Sequence, residues 1–197
     1  MTNANWGASP EDWHHFDLVL GLGKDLLPVV SNPAAVISPA SAMKQLGKTP
    51  SRYNGRRHVA GITGWTDRQA DAQDLAEWSK EPDYGICIQT RSVRAVDVDV
   101  TNADQAADIA AAIRRCHPDL PMRIRSNSSK FLVAFVINFP LAKRTIKTDH
   151  GIIELLADGQ QFVAVGTHPS GARYEWAGGL PNCFPELTLE QLEALWV

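Results

Sequence analysis

Asp97 and Asp99 alternate with valines in the run Ala95-Val96-Asp97-Val98-Asp99-Val100. In a β-strand, residues two apart leave the same face. Both carboxylates are therefore expected on one side, with Val96, Val98 and Val100 on the other. Two like charges on one face of an apolar strand repel, and burying them unpaired would cost several kcal/mol. Two readings fit this pattern: a solvated strand end, or a site for a divalent cation. Carboxylate oxygens suit Mg²⁺ or Mn²⁺, which bind through one or two carboxylates together with substrate phosphates. The second reading points to phosphoryl or nucleotidyl transfer.

Two further clusters lie downstream. The stretch Arg123-Ile124-Arg125-Ser126-Asn127-Ser128-Ser129-Lys130 puts two arginines, three serines and a lysine around one predicted turn. It reads either as a polar hairpin or as a place to hold phosphate oxygens. Glu154 interrupts the apolar run Ile152-Ile153-Glu154-Leu155-Leu156, as a partly exposed strand residue or as a third carboxylate. Taken in order, the clusters supply two or three carboxylate ligands and a cationic phosphate clamp. That is the minimum for two-metal nucleotidyl transfer, in which one ion activates the attacking hydroxyl and the other stabilises the leaving pyrophosphate.

The elements that would carry these residues follow from patterning. Residues 1–10 are small and polar and read as a frayed terminus. Helices are expected over Glu11–Leu20, Asp67–Lys80 (capped by Thr66 or Asp67), Asn102–Cys116 and Leu187–Trp196, the last opened by Thr188 with Glu190 and Gln191 near capping-box spacing. Strands are expected over Tyr84–Gln89, Val93–Val100, Met122–Arg125, Lys130–Ile137, Gly151–Leu156, Gln161–Val165 and Tyr174–Trp176. The first two strands read as a hairpin or near neighbours, and Ser126–Ser129 as the turn of another. Asp25–Val30 is a strand or a loop approach. Gly21-Leu22-Gly23-Lys24 reads as a turn, because no Gly-Lys-Ser/Thr closes a phosphate loop. Residues 31–64 read as loop, rich in Pro, Gly, Ser and basic residues and free of acidic ones. Lys48, Arg52, Arg56 and Arg57 in this stretch are either a solvated surface or contacts to a DNA template. Frequent hairpins among alternating helices and strands imply an α+β (mixed α/β) chain with substantial antiparallel sheet, not a doubly wound parallel one.

Composition narrows the class. The chain has 197 residues, 44% hydrophobic and 21% charged, with a formal net charge of −3. That length fits one large domain or two small lobes. The absence of a net basic charge excludes a protein that coats DNA non-specifically, though not an enzyme with a local basic groove. Cys87, Cys116 and Cys183 are odd in number and widely spaced, which indicates neither a zinc site nor a disulfide framework and suits a reducing cytoplasm. No apolar run approaches about 18 residues, so no membrane span is expected.

The order of the clusters resembles the archaeo-eukaryotic primase superfamily, and within it the primase-polymerase domain of phage, plasmid and mobile-element replication proteins. That family carries an Asp-x-Asp strand, a Ser-x-His turn and an acidic residue on a later strand. Asp97-Val98-Asp99 is similar to the first motif and Glu154 in Ile153-Glu154-Leu155 to the third. Tyr84-Gly85-Ile86-Cys87-Ile88 resembles the glycine-containing strand before the first motif, and Lys48-Thr49-Pro50 a Lys-x-Pro near the N-terminus. The most specific likeness is Gly166-Thr167-His168-Pro169-Ser170-Gly171-Ala172-Arg173-Tyr174-Glu175-Trp176. The resemblance covers roughly residues 44–180. It departs at Ser128-Ser129-Lys130, where lysine stands in place of the usual histidine.

The resemblance implies a two-lobed primase-polymerase fold within one domain of residues 1–197. Residues 1–80 would supply a smaller N-terminal αβ lobe, 81–180 an RNA-recognition-like, largely antiparallel catalytic sheet, and 181–197 a C-terminal helix. Asp97, Asp99 and Glu154 would bind two Mg²⁺ or Mn²⁺ ions. Lys130, Arg125 and Ser128 would hold the triphosphate of a dNTP or NTP, lysine acting as a point charge. His168 would touch nucleotide or template, or brace its own loop. The implied partners are a single-stranded DNA template with its primer, and a fused or separate helicase and helical priming domain. The chain is expected to be the N-terminal part of a larger replication protein, so primer extension is a safer expectation than de novo priming. The rival readings are a catalytically inactive DNA- or nucleotide-binding module and a metal-dependent nuclease using the same acids.

Overall fold

The structure, a computed structural model, describes residues 5–196. The chain divides into two compact units. The first takes the chain through Gln89 together with Gln161–Tyr174; the second takes Thr90–Gln160 and the chain from Glu175 onward. The expected boundary near residue 80 differs from this division. The apolar strands over 84–89 and 161–165, which motif order put in the catalytic core, lie in the first unit.

In the first unit, strands β1 (Leu26–Val30), β4 (Tyr84–Gln89) and β10 (Gln161–Val165) form an antiparallel sheet in the order β1-β4-β10. Every residue of β1 and β4 is buried, which explains their continuous apolar runs. Pro28 is tolerated because β1 is an edge strand. Helix α1 (Pro10–His14) begins in a capping box between Ser9 and Asp12 and runs into a π-helical turn over His15–Val19. The expected frayed start is corrected for residues 7–9; residues 1–4 lie outside the described chain. Gly7 and Ala8 donate to the carbonyls of Pro82 and Tyr84 at 2.8 Å each. Helix α2 (Ala72–Trp78) is shorter than the expected 67–80, because its cap is Asp71, boxed with Asp74, rather than Thr66 or Asp67. The basic stretch is not all loop either. Strands β2 (Ser51–Tyr53) and β3 (Val59–Gly61) pair as a hairpin, whose loop is shaped by Asn54: its Oδ1 accepts from the amides of Arg56 and His58.

The second unit is built on one antiparallel sheet. Its strands are β5 (Val93–Val100), β6 (Met122–Arg125), β7 (Ser128–Val136), β8 (Arg144–Thr148), β9 (Gly151–Leu156) and β11 (Glu175–Trp176), ordered β11-β6-β7-β5-β9-β8. One face is apolar. Val96, Val98, Val100, Phe131, Val133, Phe135 and Leu155 pack there with helices α3 (Ala103–Cys116) and α4 (Leu189–Ala194), through Ala106, Ile113 and Leu192. Asn102 caps α3, accepting from Gln105 N at 2.8 Å. Thr188 and Gln191 box the start of α4, which is narrower than the expected 187–196.

Three expectations change. Strands β4 and β5 are not a hairpin: β4 pairs with β1 and β10, β5 with β7 and β9. The β6–β7 turn is two residues, Ser126-Asn127, because Arg125 pairs directly with Ser128. Strand β8 was not anticipated; Arg-Thr-Ile-Lys-Thr lacks an apolar alternation. The chain is a mixed α+β protein with antiparallel sheets, as its hairpin-rich pattern implied. Among the described residues, no helix is long and apolar enough to cross a membrane.

Candidate active site

The polar face of the second unit's sheet is written by register. Asp97 on β5 is opposite Glu154 on β9 and Leu132 on β7; Leu132 is opposite Arg123 on β6, and Glu154 opposite Thr145 on β8. Residues directly opposite one another share a face, so one row across the sheet reads Arg123, Leu132, Asp97, Glu154, Thr145. The neighbouring row holds Asp99 and Lys147, both opposite Ile152. Val98 between the aspartates and Val96 and Val100 on either side point into the core, as their alternation requires. Gly151 lets β9 close against the end of β5. Its φ of +148° is one an L side chain rarely adopts, and a Cβ there would collide with the Asp99 carbonyl.

Each carboxylate of the face is met by a cation. Lys130 Nζ is 2.5 Å from Asp99 Oδ1, Lys143 Nζ is 2.5 Å from Glu154 Oε1, and Arg123 Nη2 is 4.0 Å from Asp97 Oδ1. Burial nevertheless pushes the Asp97 carboxyl above its ordinary range. The Arg123 guanidinium opposes that shift, the charges of Asp99 and Glu154 add to it, and Arg125 opposes it in turn. Desolvation of Asp97 thus outweighs the attraction of its basic neighbours. Among the described residues, no group of three or more His, Cys, Asp or Glu side chains is arranged to hold a metal ion; the acids are turned to their basic partners.

The β6–β7 hairpin flanks this centre. Ser128 Oγ accepts from Arg125 Nη2 at 3.3 Å and from the Lys130 amide at 3.2 Å. Ser129 Oγ donates to the carbonyls of Val100 and Thr101, tying the hairpin to the end of β5. The structure thereby brings Asp97, Asp99, Glu154, Arg125, Ser128 and Lys130 into one unit and onto neighbouring strands.

The family model for the N-terminal domain of bifunctional DNA primase/polymerases (Prim-Pol) matches residues 13–189. The chain belongs to the Prim-Pol family. Its general role is therefore that of a primase/polymerase-type domain of DNA replication. No curated protein matches the chain.

The remaining expected site residues of this Prim-Pol domain lie in the first unit. Lys48, Arg52 and Arg56 are exposed there. Arg57 is held by the domain's own groups: its guanidinium lies 3.9 Å from the Tyr53 ring centroid and bonds Glu81 at 2.5 and 3.3 Å. His168 Nδ1 accepts from the Ser170 amide at 3.0 Å, and the ring meets Tyr174 edge-on, which is the bracing geometry. Sequence reasoning missed Arg123 as a partner of Asp97, and missed Lys143, Thr145 and Lys147 altogether. Arg123 was visible as a basic residue two before Arg125, at same-face spacing. Nothing in the local sequence of β8 signalled its neighbours.

Proposed function

We propose that this Prim-Pol domain is a template-directed nucleotidyltransferase that extends a primer with nucleotides drawn from dNTPs or NTPs. The observation that carries this reading is the register pairing of Asp97 with Glu154 on the adjacent interior strands β5 and β9, with Asp99 beside them and cations on the flanks. The donor set fits Mg²⁺ or Mn²⁺: three carboxylates of one sheet face, oxygen ligands only, with the Asp97 carboxyl raised chiefly by burial and further by the charges of Asp99 and Glu154. Asp97, Asp99 and Glu154 would hold two such ions. When bound, they would lower the pKa of the attacking hydroxyl and neutralise charge building on the leaving pyrophosphate.

The protein's own residues then divide the remaining work. Lys130, Arg125 and Ser128 bind the triphosphate oxygens, with the hairpin already shaped by the Ser128 hydrogen bonds. Lys130, paired with Asp99 in the structure, would be free to meet phosphate where Asp99 holds an ion. The primer 3′-oxygen forms a bond to the α-phosphorus in line with the leaving group. The α–β phosphoanhydride bond breaks, pyrophosphate departs, and the hydroxyl proton passes to solvent. Positioning and electrostatics supply most of the rate.

The test is extension of a labelled primer on a single-stranded template with Mg²⁺ or Mn²⁺ and dNTPs or NTPs, beside an Asp97→Ala/Asp99→Ala control. Extension lost in the control supports the reading. An intact primer with DNA still bound would replace it with a catalytically inactive binding module, and a shortened primer with a nuclease.

A further inference from the structure

Strand β8 is the outer edge of the second unit's sheet, on the side of the carboxylates away from the β6–β7 hairpin. Its two faces differ in kind. Arg144 is opposite Leu155 and pairs with Glu193 of α4 at 2.6 Å, on the core side. Thr145 and Lys147 are opposite Glu154 and Ile152 on the polar side, and both are exposed. Lys143, just before the strand, reaches Glu154 from the same side. Two lysines and a threonine therefore border the carboxylates along an open strand edge. Lys147 and Lys130 lie in neighbouring positions of the sheet three strand spacings apart, roughly 14 Å, with Asp99 between them.

We propose that β8 is the contact for the phosphate backbone of the primer strand, made by Lys143 and Lys147 with Thr145. This rests on the nucleotidyl-transfer reading above. In-line displacement puts the attacking and leaving oxygens on opposite sides of the reacting phosphorus. With the triphosphate held at the β6–β7 hairpin, the attacking hydroxyl arrives from the β9–β8 side. The strand carrying it brings a negative charge at every linkage, and flexible, exposed lysines at an edge match such a backbone without reading its sequence. Lys143 has a second state available, since any cation that takes Glu154 leaves its ammonium to the DNA.

The test is binding of a fluorescently labelled primer–template by the full chain, read by anisotropy across a monovalent salt series at one fixed Mg²⁺ concentration and without nucleotide. Lys147→Gln and Arg144→Gln each remove one positive charge from the same strand, on opposite faces. The expected result is a several-fold weaker affinity for Lys147→Gln with a salt slope shallower by about 0.7–0.9. Lys147→Arg restores binding, Arg144→Gln changes it little, and the Lys143→Gln/Lys147→Gln double variant weakens it further. Uncharged methylphosphonate linkages near the primer 3′ end weaken binding by the wild type and not by the double variant. Equal losses for Lys147→Gln and Arg144→Gln would overturn the proposal, as would a double variant still sensitive to the methylphosphonates. Because binding is read without synthesis, the two readings fail separately. A wild type that binds through Lys147 but extends nothing sinks the catalytic reading alone; extension with binding indifferent to Lys147 sinks the β8 contact alone.

Discussion

Asp97 and Glu154 are register partners on adjacent antiparallel strands. Directly opposite residues of such a pair have their Cα atoms about 4.5–5.5 Å apart and share a face. Two acids from distant parts of the chain are thereby held side by side, and the burial of Asp97 makes its charge costly. Desolvation sets most of that cost, the neighbouring acids add to it, and Arg123 offsets part of it.

Removing the acids individually separates catalysis from folding. Glu154→Gln and Asp97→Asn keep shape and hydrogen-bonding capacity, so both variants should fold and bind DNA. Primer extension should fall by at least about a thousandfold in each, the scale expected when a residue central to charge stabilisation is lost. Single-turnover extension with circular dichroism of the same samples checks this.

Stability should move the other way for Asp97. Burial raises its carboxyl above the ordinary value, an effect opposed by Arg123, reinforced by Asp99 and Glu154, and opposed by Arg125. The folded protein therefore holds this proton more tightly than the unfolded chain does. For this group the metal-free fold loses stability as pH rises from the ordinary carboxylate range through the raised value, and the loss is complete above it. Asp97→Asn should accordingly raise the Tm of the metal-free protein at pH 7, and this gain should shrink toward pH 4. Thermal melts of both proteins in chelator across that range provide the measurement.

Adding Mn²⁺ or Mg²⁺ to the wild type should raise its Tm. At a hundredfold excess over Kd the gain is about 2.7 kcal/mol, or roughly 5–10 °C for a domain of this size. Chelator should reverse it, and Asp97→Ala/Asp99→Ala should not show it.

Lysine at position 130 sets a testable difference from histidine. Lys130→Ala should raise the nucleotide KM about tenfold or more, since a charge-assisted phosphate contact contributes about 1.5–3 kcal/mol. Lys130→His should restore affinity only at low pH, because an imidazole loses its charge near pH 6.5. Its nucleotide KM should climb between about pH 6 and 8.

Arg94 is buried, with 3% of its side chain exposed, and pairs with the exposed Asp158 at 2.6 Å. Asp158 also accepts from the Leu141 amide at 3.2 Å. Asp158→Ala strands a buried guanidinium and should cost about 3 kcal/mol, the lower end for breaking a buried pair because solvent reaches the aspartate. Urea unfolding tests this, and an unchanged midpoint would remove the pair from the stability of the second unit.

Much of the local structure was legible. Strands β5, β9 and β10 and helix α3 lie where alternation and 3.6-residue periodicity put them, because each buries one face or both and its sequence has to match that burial. The caps at Asn102 and Thr188 were readable for a similar reason: a helix start needs a side chain to accept its orphan amides. Misreadings fell where local chemistry is silent. The Asp71 cap displaced Thr66 and Asp67 because, of the several acceptors before α2, Asp71 is the one that boxes reciprocally with Asp74. Strand β8 carries charged and polar residues that stay largely exposed, and β2 and β3 are three residues each, too short for an alternation to show, so their pairing partners make them strands.

The sequence by itself determined that Asp97 and Asp99 share a face opposite a valine core, since alternation is a property of the chain at a two-residue period. It also determined the order of acid pair, basic turn and third acid on which the resemblance to the family rests. Only the tertiary structure decided that Glu154 lies opposite Asp97, that β4 leaves β5 for another sheet, and that Lys143 and Lys147 border the acids. Those relations are strand order and register across distant segments. They are set by how whole faces bury against one another, and no short stretch of sequence encodes them.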